Sequence, residues 1–387
     1  MDLIVVFFYA VLLLYVCKLA FRVTLSLVYS LRKVRDSRAY PMISVIVPSY
    51  NEEVTIAGCI QSLSTLDYPN YEVIIVDDGS TDKTLEIARR LETGRIRVVH
   101  QENRGKANAL NTGIQLSEGE IVVTVDADTT IRREALARVA GRFARNPRLG
   151  AVAGNIKVEP GPGLLNALQS TEYTVGINLI RKAESMLRIV MIVPGPIAAM
   201  RREAIQSVGL FSDDTFAEDF DATMKLSKAG YGVEYEENAL AYTDVPKSLE
   251  DLMKQRRRWY RGMIQVLDKH RDMFLRPRYG FAGVLGVPNL WFETTSPIIN
   301  LALILLALLS GLYLGETSVT LIGLATYLGM DMVVGLYALS LDPVKKPRDF
   351  LTLPLLPFYN IFLDGVRLMS FTEEMLNIKM AWEKPKR

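Results

Sequence analysis

Short apolar runs alternate with polar loops and helix-like segments from residue 43 to about residue 140. The runs read ISVIVPS, YEVIIVDD, RIRVVH and GEIVVTV, and each is followed by turn-forming or charged residues. Strand, loop and helix at this spacing predict a parallel sheet with helices on its faces. In such sheets ligands gather at the carboxyl ends of the strands. The loops expected there are Tyr50-Asn51-Glu52, Asp77-Asp78-Gly79-Ser80, Arg104-Gly105-Lys106 and Asp126-Ala127-Asp128.

The two ends of the chain are more apolar than its middle. Residues 3–17 are almost purely apolar, and the run resumes after Lys18 and Arg22 to about Leu31. About twenty apolar residues span a bilayer, so a membrane helix is predicted within residues 1–35, with the two basic side chains snorkelling or near one end. A cleaved signal peptide is the alternative. The basic residues follow the apolar run, and no clear cleavage site is present, which favours the membrane helix.

The C-terminal third predicts further membrane segments. Residues 296–315 carry no charge before position 316 and residues 319–341 carry only Asp331, so both are predicted to span a bilayer. Asp331 marks either a functional pathway or a partner for another helix. Residues 350–371 contain two prolines and two charges, which leaves a third span, a re-entrant segment or an interfacial helix open. The predicted organisation is a membrane helix (1–35), an α/β domain (40–275), an interfacial segment (276–295), a membrane region (296–371) and a tail (372–387).

Basic residues flank the predicted spans on one side. They are Arg32, Lys33, Arg35 and Arg38 after the first run, and Lys345, Lys346 and Arg348 after residue 341. Under the positive-inside rule both groups are cytoplasmic. We therefore expect a multi-pass protein of the cell membrane with its main domain in the cytoplasm.

Composition limits the chemistry. A net charge of +2 over 387 residues does not suggest nucleic acid. The chain has only two cysteines, Cys17 and Cys59, and two distant histidines, His100 and His270, so a disulfide framework and a zinc site are both improbable. A bound metal would need carboxylate ligands, which favours Mg²⁺ or Mn²⁺. A hydride-transferring dinucleotide domain is also disfavoured, because no G-x-G-x-x-G follows the first predicted strand.

Two carboxylates, Asp126 and Asp128, follow the fourth predicted strand with one residue between them. Alternate strand residues point the same way, so both can face one cavity. Such a pair can hold a divalent cation that bridges a diphosphate. A D-x-D pair also occurs where acids cap a helix, so the pair alone leaves both readings open.

Five motifs taken in order are more specific than any one of them. They are VPSYNEE, VDDGS, DADT, AEDFD at residues 217–221 and QRRRW at residues 255–259. Together they resemble the membrane-embedded inverting glycosyltransferases of family 2, which include cellulose, chitin, hyaluronan and poly-N-acetylglucosamine synthases. The resemblance covers about residues 43–271. It implies an α/β domain of the GT-A (Rossmann-like) type with flanking transmembrane helices, a UDP-sugar donor and a divalent metal, Mg²⁺ or Mn²⁺.

The resemblance implies roles for the acids and the lysine of the predicted sheet edge. Asp77 or Asp78 is similar to the acid that contacts the nucleotide base or ribose, with a helix N-cap as the alternative. Lys106 is similar to a base or diphosphate contact, with a solvated lysine as the alternative. Asp126 resembles the ribose or metal-shell acid, and Asp128 resembles the direct metal ligand.

Asp219 resembles the general base, which takes a proton from the acceptor hydroxyl. Its neighbours Glu218 and Asp221 add negative charge, so we expect a raised pKa for Asp219. Glu218 is grouped with the substrate-binding residues. The alternative is a cluster of acids that caps a helix over residues 219–229, and both roles are compatible.

The motif QRRRW lies in a basic segment with helical spacing, which puts Gln255 and Trp259 on one face. By the resemblance, Gln255 is one of the substrate-binding residues. Arg258 pairs with phosphate oxygens of the leaving group, and Trp259 offers a flat face to an acceptor sugar. The alternative is a basic helix lying on anionic lipid, a role open to Arg256, Arg257 and Arg261.

A glycine upstream of these motifs is a further candidate. Gly195, in VPGPIAAM, allows close backbone approach. The segment is similar to the acceptor-proximal strand of hyaluronan and poly-N-acetylglucosamine synthases, and a simple turn is the alternative.

The function expected from the resemblance is transfer of a sugar to the end of a growing β-linked polysaccharide, with processive extension. UDP-N-acetylglucosamine is the expected donor, and UDP-glucose is second. A transferase that acts once on a lipid acceptor is the first alternative. A non-catalytic scaffold that binds a nucleotide sugar is the second. Because the predicted membrane region is small, a homo-oligomer or an accessory export protein is an expected partner.

Overall fold

The computed structural model describes residues 3–32, 40–313 and 317–380. The helices are α1 (Leu3–Leu31), α2 (Ile56–Ser64), α3 (Thr84–Arg90), α4 (Lys106–Leu116), α5 (Ala135–Phe143), α6 (Leu164–Glu172), α7 (Leu179–Met186), α8 (Arg202–Ser207), α9 (Glu218–Lys228), α10 (Leu249–Lys269), α11 (Val287–Tyr313), α12 (Thr317–Leu341), α13 (Pro347–Leu351) and α14 (Leu356–Met375). The strands are β1 (Ile43–Ser49), β2 (Tyr71–Asp78), β3 (Ile96–Gln101), β4 (Ile121–Thr124), β5 (Thr129–Ile131), β6 (Leu149–Val158), β7 (Ala198–Arg201) and β8 (Gly232–Thr243).

The strands form one eight-stranded sheet in the order β3-β2-β1-β4-β7-β6-β8-β5. The four predicted strands, β1 to β4, are parallel to one another, as expected. The prediction of a wholly parallel sheet was wrong for the other half. There β7 runs antiparallel to both β4 and β6, and β5 runs antiparallel to β8. The segment at Gly195 directly precedes β7. Because β7 runs antiparallel to β4, the start of β7 and the segment before it lie at the carboxyl end of β4.

Burial on both faces explains the unbroken apolar sequence of the central strands. In β1, Ile43, Val45 and Val47 pack into one hydrophobic cluster, and Ile46 packs into another on the opposite face. This alternation is the period-2 geometry of a strand. On the second face α4 approaches so closely that a Cβ at Gly113 would lie 2.4 Å from Ile46 Cγ2. This packing on both faces fixes the strands, and with them the starting points of the loops at the carboxyl edge of the sheet.

The terminal helices pack onto the sheet domain. The end of α1 lies against α7, and Tyr29 Oη donates a hydrogen bond of 2.8 Å to the carbonyl oxygen of Tyr235. The loop between α12 and α13 also docks on the domain, because Asp342 forms a buried ion pair with Lys157. Near the other end of the chain, α14 packs along α10. The position of α10 therefore depends on residues more than one hundred positions away.

Several charged residues of the terminal helices pair with one another. Lys18 Nζ lies 3.5 Å from the Glu293 carboxylate, and Arg22 also pairs with Glu293. Asp331 accepts a hydrogen bond of 2.8 Å from Asn360, so it serves as a partner between α12 and α14.

Within the described ranges, no helix has the length and apolarity needed to cross a membrane. The spans predicted within 1–35 and 296–371 stay a prediction. The basic residues Lys33, Arg35 and Arg38 lie outside the described residues, as does the basic end of the tail, 381–387.

Candidate active site

The two acids at the end of β2 have different surroundings. Asp78 accepts hydrogen bonds from Gln101 Nε2 at 2.7 Å and from the backbone N–H groups of Arg104 and Gly105 at 3.0 and 2.8 Å. Its carboxylate therefore fixes the loop that precedes Lys106. The helix N-cap expected as the alternative is wrong for Asp78, because the next helix begins at Thr84.

Asp77 is fully buried at the same edge. Its Oδ2 contacts His100 Nδ1 at 2.8 Å and accepts a hydrogen bond of 3.3 Å from the N–H of Ser80. Its Oδ1 is buried without a hydrogen-bond partner among the described residues. Buried polar atoms are rarely left unpaired. Of the two acids, Asp77 is the one with acceptor capacity left for a ligand.

Lys106 opens α4 directly after Gly105, whose φ of 88° is accessible mainly to glycine. Its Nζ lies 2.7 Å from Asp126 Oδ1 and 3.2 Å from Glu218 Oε1. Burial disfavours the charged amine, but the two acids outweigh it and raise the pKa of Lys106 above its usual range. Lys106 therefore joins the end of β4 to the start of α9, while its side chain stays 38% exposed to solvent.

Asp126 and Asp128 leave the end of β4 and do not cap a helix. Residues Thr129–Ile131 form β5, and the next helix begins only at Ala135. Asp128 Oδ1 accepts hydrogen bonds from Thr129 Oγ1 at 3.1 Å and from Thr243 Oγ1 at 3.4 Å. Burial raises the pKa of Asp126, and Asp128 adds to this rise while Lys106 opposes it. The capping alternative was wrong.

The donor set fits a metal that is shared with a substrate. No group of three or more histidine, cysteine or acidic side chains suited to a metal occurs in the described part of the chain. Mg²⁺ is usually held through one or two carboxylates together with substrate phosphates, and Mn²⁺ accepts similar oxygen ligands. Asp126 and Asp128 supply those two carboxylates at the end of one strand.

Asp219 lies in the first turn of α9, which begins at Glu218. Its Oδ2 accepts a hydrogen bond of 3.1 Å from the N–H of Gly195, and its Oδ1 accepts one of 2.8 Å from the N–H of Phe220. Burial, and after it the charge of Glu218, raises the pKa of Asp219 to about 6. The expected direction is confirmed. This pKa suits a base that works near neutral pH.

Asp221 does not share the surroundings of Asp219. It is buried, with His270 Nε2 at 2.8 Å, Lys269 Nζ at 3.0 Å and Lys225 Nζ at 3.2 Å. Burial alone would raise the pKa of Asp221, but these partners lower it below the usual range. The negative charge that we expected Asp221 to add beside Asp219 is balanced by its own basic partners.

At Gly195 the backbone of the segment before β7 lies close to the side chains of Lys106 and Asp126. A Cβ at this position would lie 2.9 Å from Lys106 Nζ and 3.0 Å from both carboxylate oxygens of Asp126. All three distances are shorter than nine in ten real Cβ contacts, so a side chain at this position would require Lys106 or Asp126 to move. The expected close backbone approach is therefore confirmed, and the missing side chain lets Lys106, Asp126 and Asp219 converge.

The helix α10 carries Trp259 on a buried ion-pair network. Arg256 donates to both carboxylate oxygens of Glu172, at 3.0 and 2.7 Å, and Tyr359 Oη donates to Glu172 at 2.7 Å. The Arg256 guanidinium lies 4.2 Å from the centre of the Trp259 ring, within the range of a cation–π contact. Gln255 Oε1 accepts a hydrogen bond from Arg256. Arg256 thus supports one side of the Trp259 ring.

Two arginines of α10 pair with acids of α14. Arg257 pairs with Glu373, and Arg261 Nε lies 2.7 Å from Glu374, so α14 covers this side of the helix. The lipid-surface alternative is wrong for Arg256 and Arg261, whose side chains are buried, and stays a prediction for Arg257, whose side chain is partly exposed. Arg258 differs, because it has no hydrogen bond or ion pair with any residue that the structure describes. Its charge nevertheless helps to lower the pKa of Glu218, after the larger effect of Lys106.

The sequence-based prediction missed several residues of the site. They are His100 beside Asp77, Thr243 beside Asp128, and Glu172, Tyr359 and Arg256 beneath Trp259. All are joined to their partners by contacts between distant segments. Local patterning gives no signal for such contacts. Arg256 lies inside the QRRRW motif, yet its helical spacing alone does not distinguish a buried arginine from an exposed one.

Comparisons with known proteins agree with this geometry. Residues 44–209 match the family described as "Glycosyl transferase family 2", a range that includes Asp77, Lys106, Asp126 and Gly195 but ends before Asp219. The chain is 36% identical over 227 residues to a poly-beta-1,6-N-acetyl-D-glucosamine synthase of Staphylococcus epidermidis, covering 58% of this chain and 55% of the relative. It is 35% identical over 250 residues to the enzyme of the same name from Staphylococcus aureus (strain COL), covering 64% and 60%. The matches span little more than half the length of these relatives.

A solved structure matches the fold over nearly the whole chain. It is a mannosyltransferase from Pyrobaculum calidifontis in complex with GDP-Man and Mn²⁺, with a TM-score of 0.69, 24% identity and coverage of 97% of this chain and 98% of that one. The expected α/β fold of the GT-A type is thereby supported. The resemblance inferred from the motifs is confirmed, since residues 44–209 of this chain match the model of glycosyl transferase family 2.

Proposed function

We propose that this protein transfers a sugar from a UDP-sugar to a hydroxyl group of an acceptor, with inversion at the anomeric carbon. The observation that carries the proposal is the convergence of Asp219, Lys106 and Asp126 around Gly195. Asp219 has a carboxylate with a pKa of about 6, and the other two form an ion pair of 2.7 Å at the end of β4. A base and a cation at one sheet edge are the two groups that such a displacement needs.

The reaction is one displacement. Asp219 accepts the proton of the acceptor hydroxyl as that oxygen forms a bond to the anomeric carbon. The bond from this carbon to the diphosphate oxygen breaks on the opposite face, and its electron pair leaves with UDP. Lys106 and Arg258 stabilise the charge that develops on the diphosphate. Asp77, through its unpaired Oδ1, contacts the nucleoside, and Asp78 supports the loop that carries Lys106.

Asp126 and Asp128 would hold the divalent metal, Mg²⁺ or Mn²⁺. When bound, the ion neutralises charge on the diphosphate and so favours its departure. The two carboxylates cannot saturate such an ion by themselves, which makes the donor part of the metal site. We therefore expect metal and donor to bind together.

The proposed donor is UDP-N-acetylglucosamine, and the proposed acceptor is the end of a growing β-linked polysaccharide. The names of the relatives, poly-beta-1,6-N-acetyl-D-glucosamine synthases, support both assignments. Trp259, supported from one side by Arg256, offers a ring surface to the acceptor sugar. Processive extension, a multi-pass location in the cell membrane with the domain in the cytoplasm, and a homo-oligomer or an export partner belong to the same proposal.

Incubation of the purified protein with labelled UDP-N-acetylglucosamine tests the product. A ladder of long saccharides supports a polysaccharide synthase. A single product extracted into organic solvent would replace it with a transferase that acts once on a lipid. Donor binding without any UDP release, in the presence of added chitin-type oligosaccharides and membrane lipid, would favour the non-catalytic scaffold.

A further inference from the structure

A cavity of about 620 Å³ lies away from the candidate active site. None of the residues assigned above to donor, metal or acceptor lines it. Its walls come from the ends of α1, α5 and α7 and from β8. We call it the α1 cavity and define it by six of its residues: Tyr29, Arg32, Arg142, Arg145, Arg188 and Phe281.

Two arginines of the α1 cavity, Arg32 and Arg145, are exposed. Among the residues that the structure describes, the guanidinium groups of Arg32 and Arg145 have no hydrogen bond or ion pair. Arg142 forms the inner wall and is already paired, since its Nε donates to Glu236 at 2.6 Å and its Nη2 donates to Tyr29 Oη at 2.7 Å. The cavity thus has a fixed cation inside and two available cations at its surface.

Two acids, Glu234 and Glu237, also line the cavity, and both pair with basic groups other than Arg32 and Arg145. Glu234 lies 3.5 Å from both Arg142 and Arg188. Glu237 lies 2.7 Å from Lys182 Nζ. Each acid therefore has a basic partner of its own, and the positive charge of Arg32 and Arg145 remains to be balanced by a ligand.

The backbone at the edge of the cavity is also unusual. Arg188 has a φ of 58°, a left-handed conformation that side-chain-bearing residues seldom adopt. It is held there because its N–H donates to the carbonyl oxygen of Ser185 at 3.1 Å, and its own carbonyl accepts from Val233 at 3.0 Å. Its side chain is 64% exposed. The fold therefore keeps a third arginine at this edge at some conformational cost.

We propose that the α1 cavity binds a phosphate group through Arg32 and Arg145, and that an anionic phospholipid headgroup supplies it. Guanidinium groups are matched to phosphate in charge and geometry. The location favours a lipid over a soluble ion. Arg32 ends the helix predicted to lie in the membrane, and Phe281, 54% exposed, belongs to the segment predicted to be interfacial. The lipid source rests on the proposed membrane location, whereas the phosphate site does not rest on sugar transfer.

Lipid binding by the full chain in detergent tests the proposal without any measurement of catalysis. Native mass spectrometry would follow added phosphatidylglycerol and, separately, phosphatidylcholine. Thermal unfolding would follow the effect of inorganic phosphate. The variants are Arg32→Ala and Arg145→Ala, which remove exposed side chains and should leave the fold intact. Arg89→Ala, on α3 and outside the cavity, is the matched control for loss of one exposed arginine.

We expect phosphatidylglycerol to bind more tightly than phosphatidylcholine, and each cavity variant to weaken its binding about fivefold. The Arg89→Ala control should bind as the unmodified chain does. Stabilisation by inorganic phosphate that is lost in the variants, without any preference for phosphatidylglycerol, would retain the phosphate site but overturn the lipid source. Unchanged binding of both probes by the two cavity variants would overturn the site itself.

Discussion

The sheet edge and the helix α10 both bring charged residues to the candidate active site, but they hold them in opposite ways. At the sheet edge, the acids outnumber the cations, and Lys106 alone bridges Asp126 and Glu218. On α10 every described arginine except Arg258 is paired with an acid from another helix. The first region therefore has negative charge available for a metal or a proton. The second uses its charges to fix a helix in place.

This difference assigns the residues of the sheet edge to the reaction and the ion pairs of α10 to the positioning of that helix. Unbalanced acids in a buried site shift pKa values and can exchange protons. Buried ion pairs that are fully satisfied contribute mainly to a defined geometry. Changes at the sheet edge should therefore affect turnover, and changes beneath α10 should affect stability and acceptor binding.

Replacing the proposed base should give the largest loss. For Asp219→Asn we expect turnover to fall by about 10²- to 10⁴-fold, because the amide cannot accept the acceptor proton. Donor binding should persist. The matched control is Asp221→Asn, two residues along α9, which removes an acid bonded to His270. It should lower the unfolding temperature while folded protein keeps its turnover. Equal losses of turnover in both variants, measured by UDP release, would contradict the assignment.

Breaking the network beneath Trp259 should mainly destabilise the protein. Glu172→Gln leaves the buried Arg256 without its anionic partner, and loss of one partner of a buried pair costs about 3–5 kcal/mol of unfolding free energy. Tyr359→Phe removes only one hydrogen bond to Glu172, so about 1 kcal/mol is expected.

Acceptor kinetics separate positioning from stability in these variants. We expect Glu172→Gln to raise the KM for an oligosaccharide acceptor more than the KM for the donor, because Trp259 loses its support. A rise confined to the donor KM would place the network in donor binding instead. Denaturant unfolding and steady-state UDP release provide the two measurements.

The pH dependence of turnover should follow Asp219. A general base acts when deprotonated, and burial raises the pKa of Asp219 to about 6. Turnover should therefore be high above this pH and fall about tenfold for each pH unit below it. An ordinary aspartate would keep activity to about pH 4. A rate of UDP release that stays constant down to about pH 4 would contradict a base with a raised pKa at this position.

The partly exposed pair between α10 and α14 should have the smallest effect. Arg257 pairs with Glu373 and its side chain is 31% exposed. Solvent screens such pairs, so Arg257→Ala should cost no more than about 1 kcal/mol of unfolding free energy. A cost as large as that of Glu172→Gln would remove the distinction between the buried and the exposed pairs of α10.

Local patterns were sufficient to predict the half of the sheet that contains β1 to β4. Each of these strands is a short run that ends in turn residues. Burial on both faces explains the apolar runs of β1, β2 and β4, whereas β3 at the edge of the sheet is only partly buried. The antiparallel β7 was not predicted, because its direction depends on pairing with β4 and β6 and not on its own four residues.

In the candidate site, too, the sequence was sufficient to predict some features and not others. The acids that the motifs identify do come together, because β4, β7 and the start of α9 meet at one edge of the sheet. Asp221 shows what the motif does not predict. It lies in the same AEDFD motif as Asp219, but Lys225 pairs with it one turn along α9, and Lys269 and His270 reach it from the end of α10. The motif could not distinguish the two acids, because the difference lies in residues that approach them in three dimensions.

The most direct test of the proposed function is UDP release by the purified chain with each common UDP-sugar. The assay would contain Mg²⁺ or Mn²⁺ and then an excess of chelator. The proposal predicts release with UDP-N-acetylglucosamine that the chelator abolishes and that added metal restores. Release that persists in chelator would contradict the role of Asp126 and Asp128 as metal ligands. Absence of release with every UDP-sugar, despite added acceptor and lipid, would contradict the proposed transfer from a UDP-sugar.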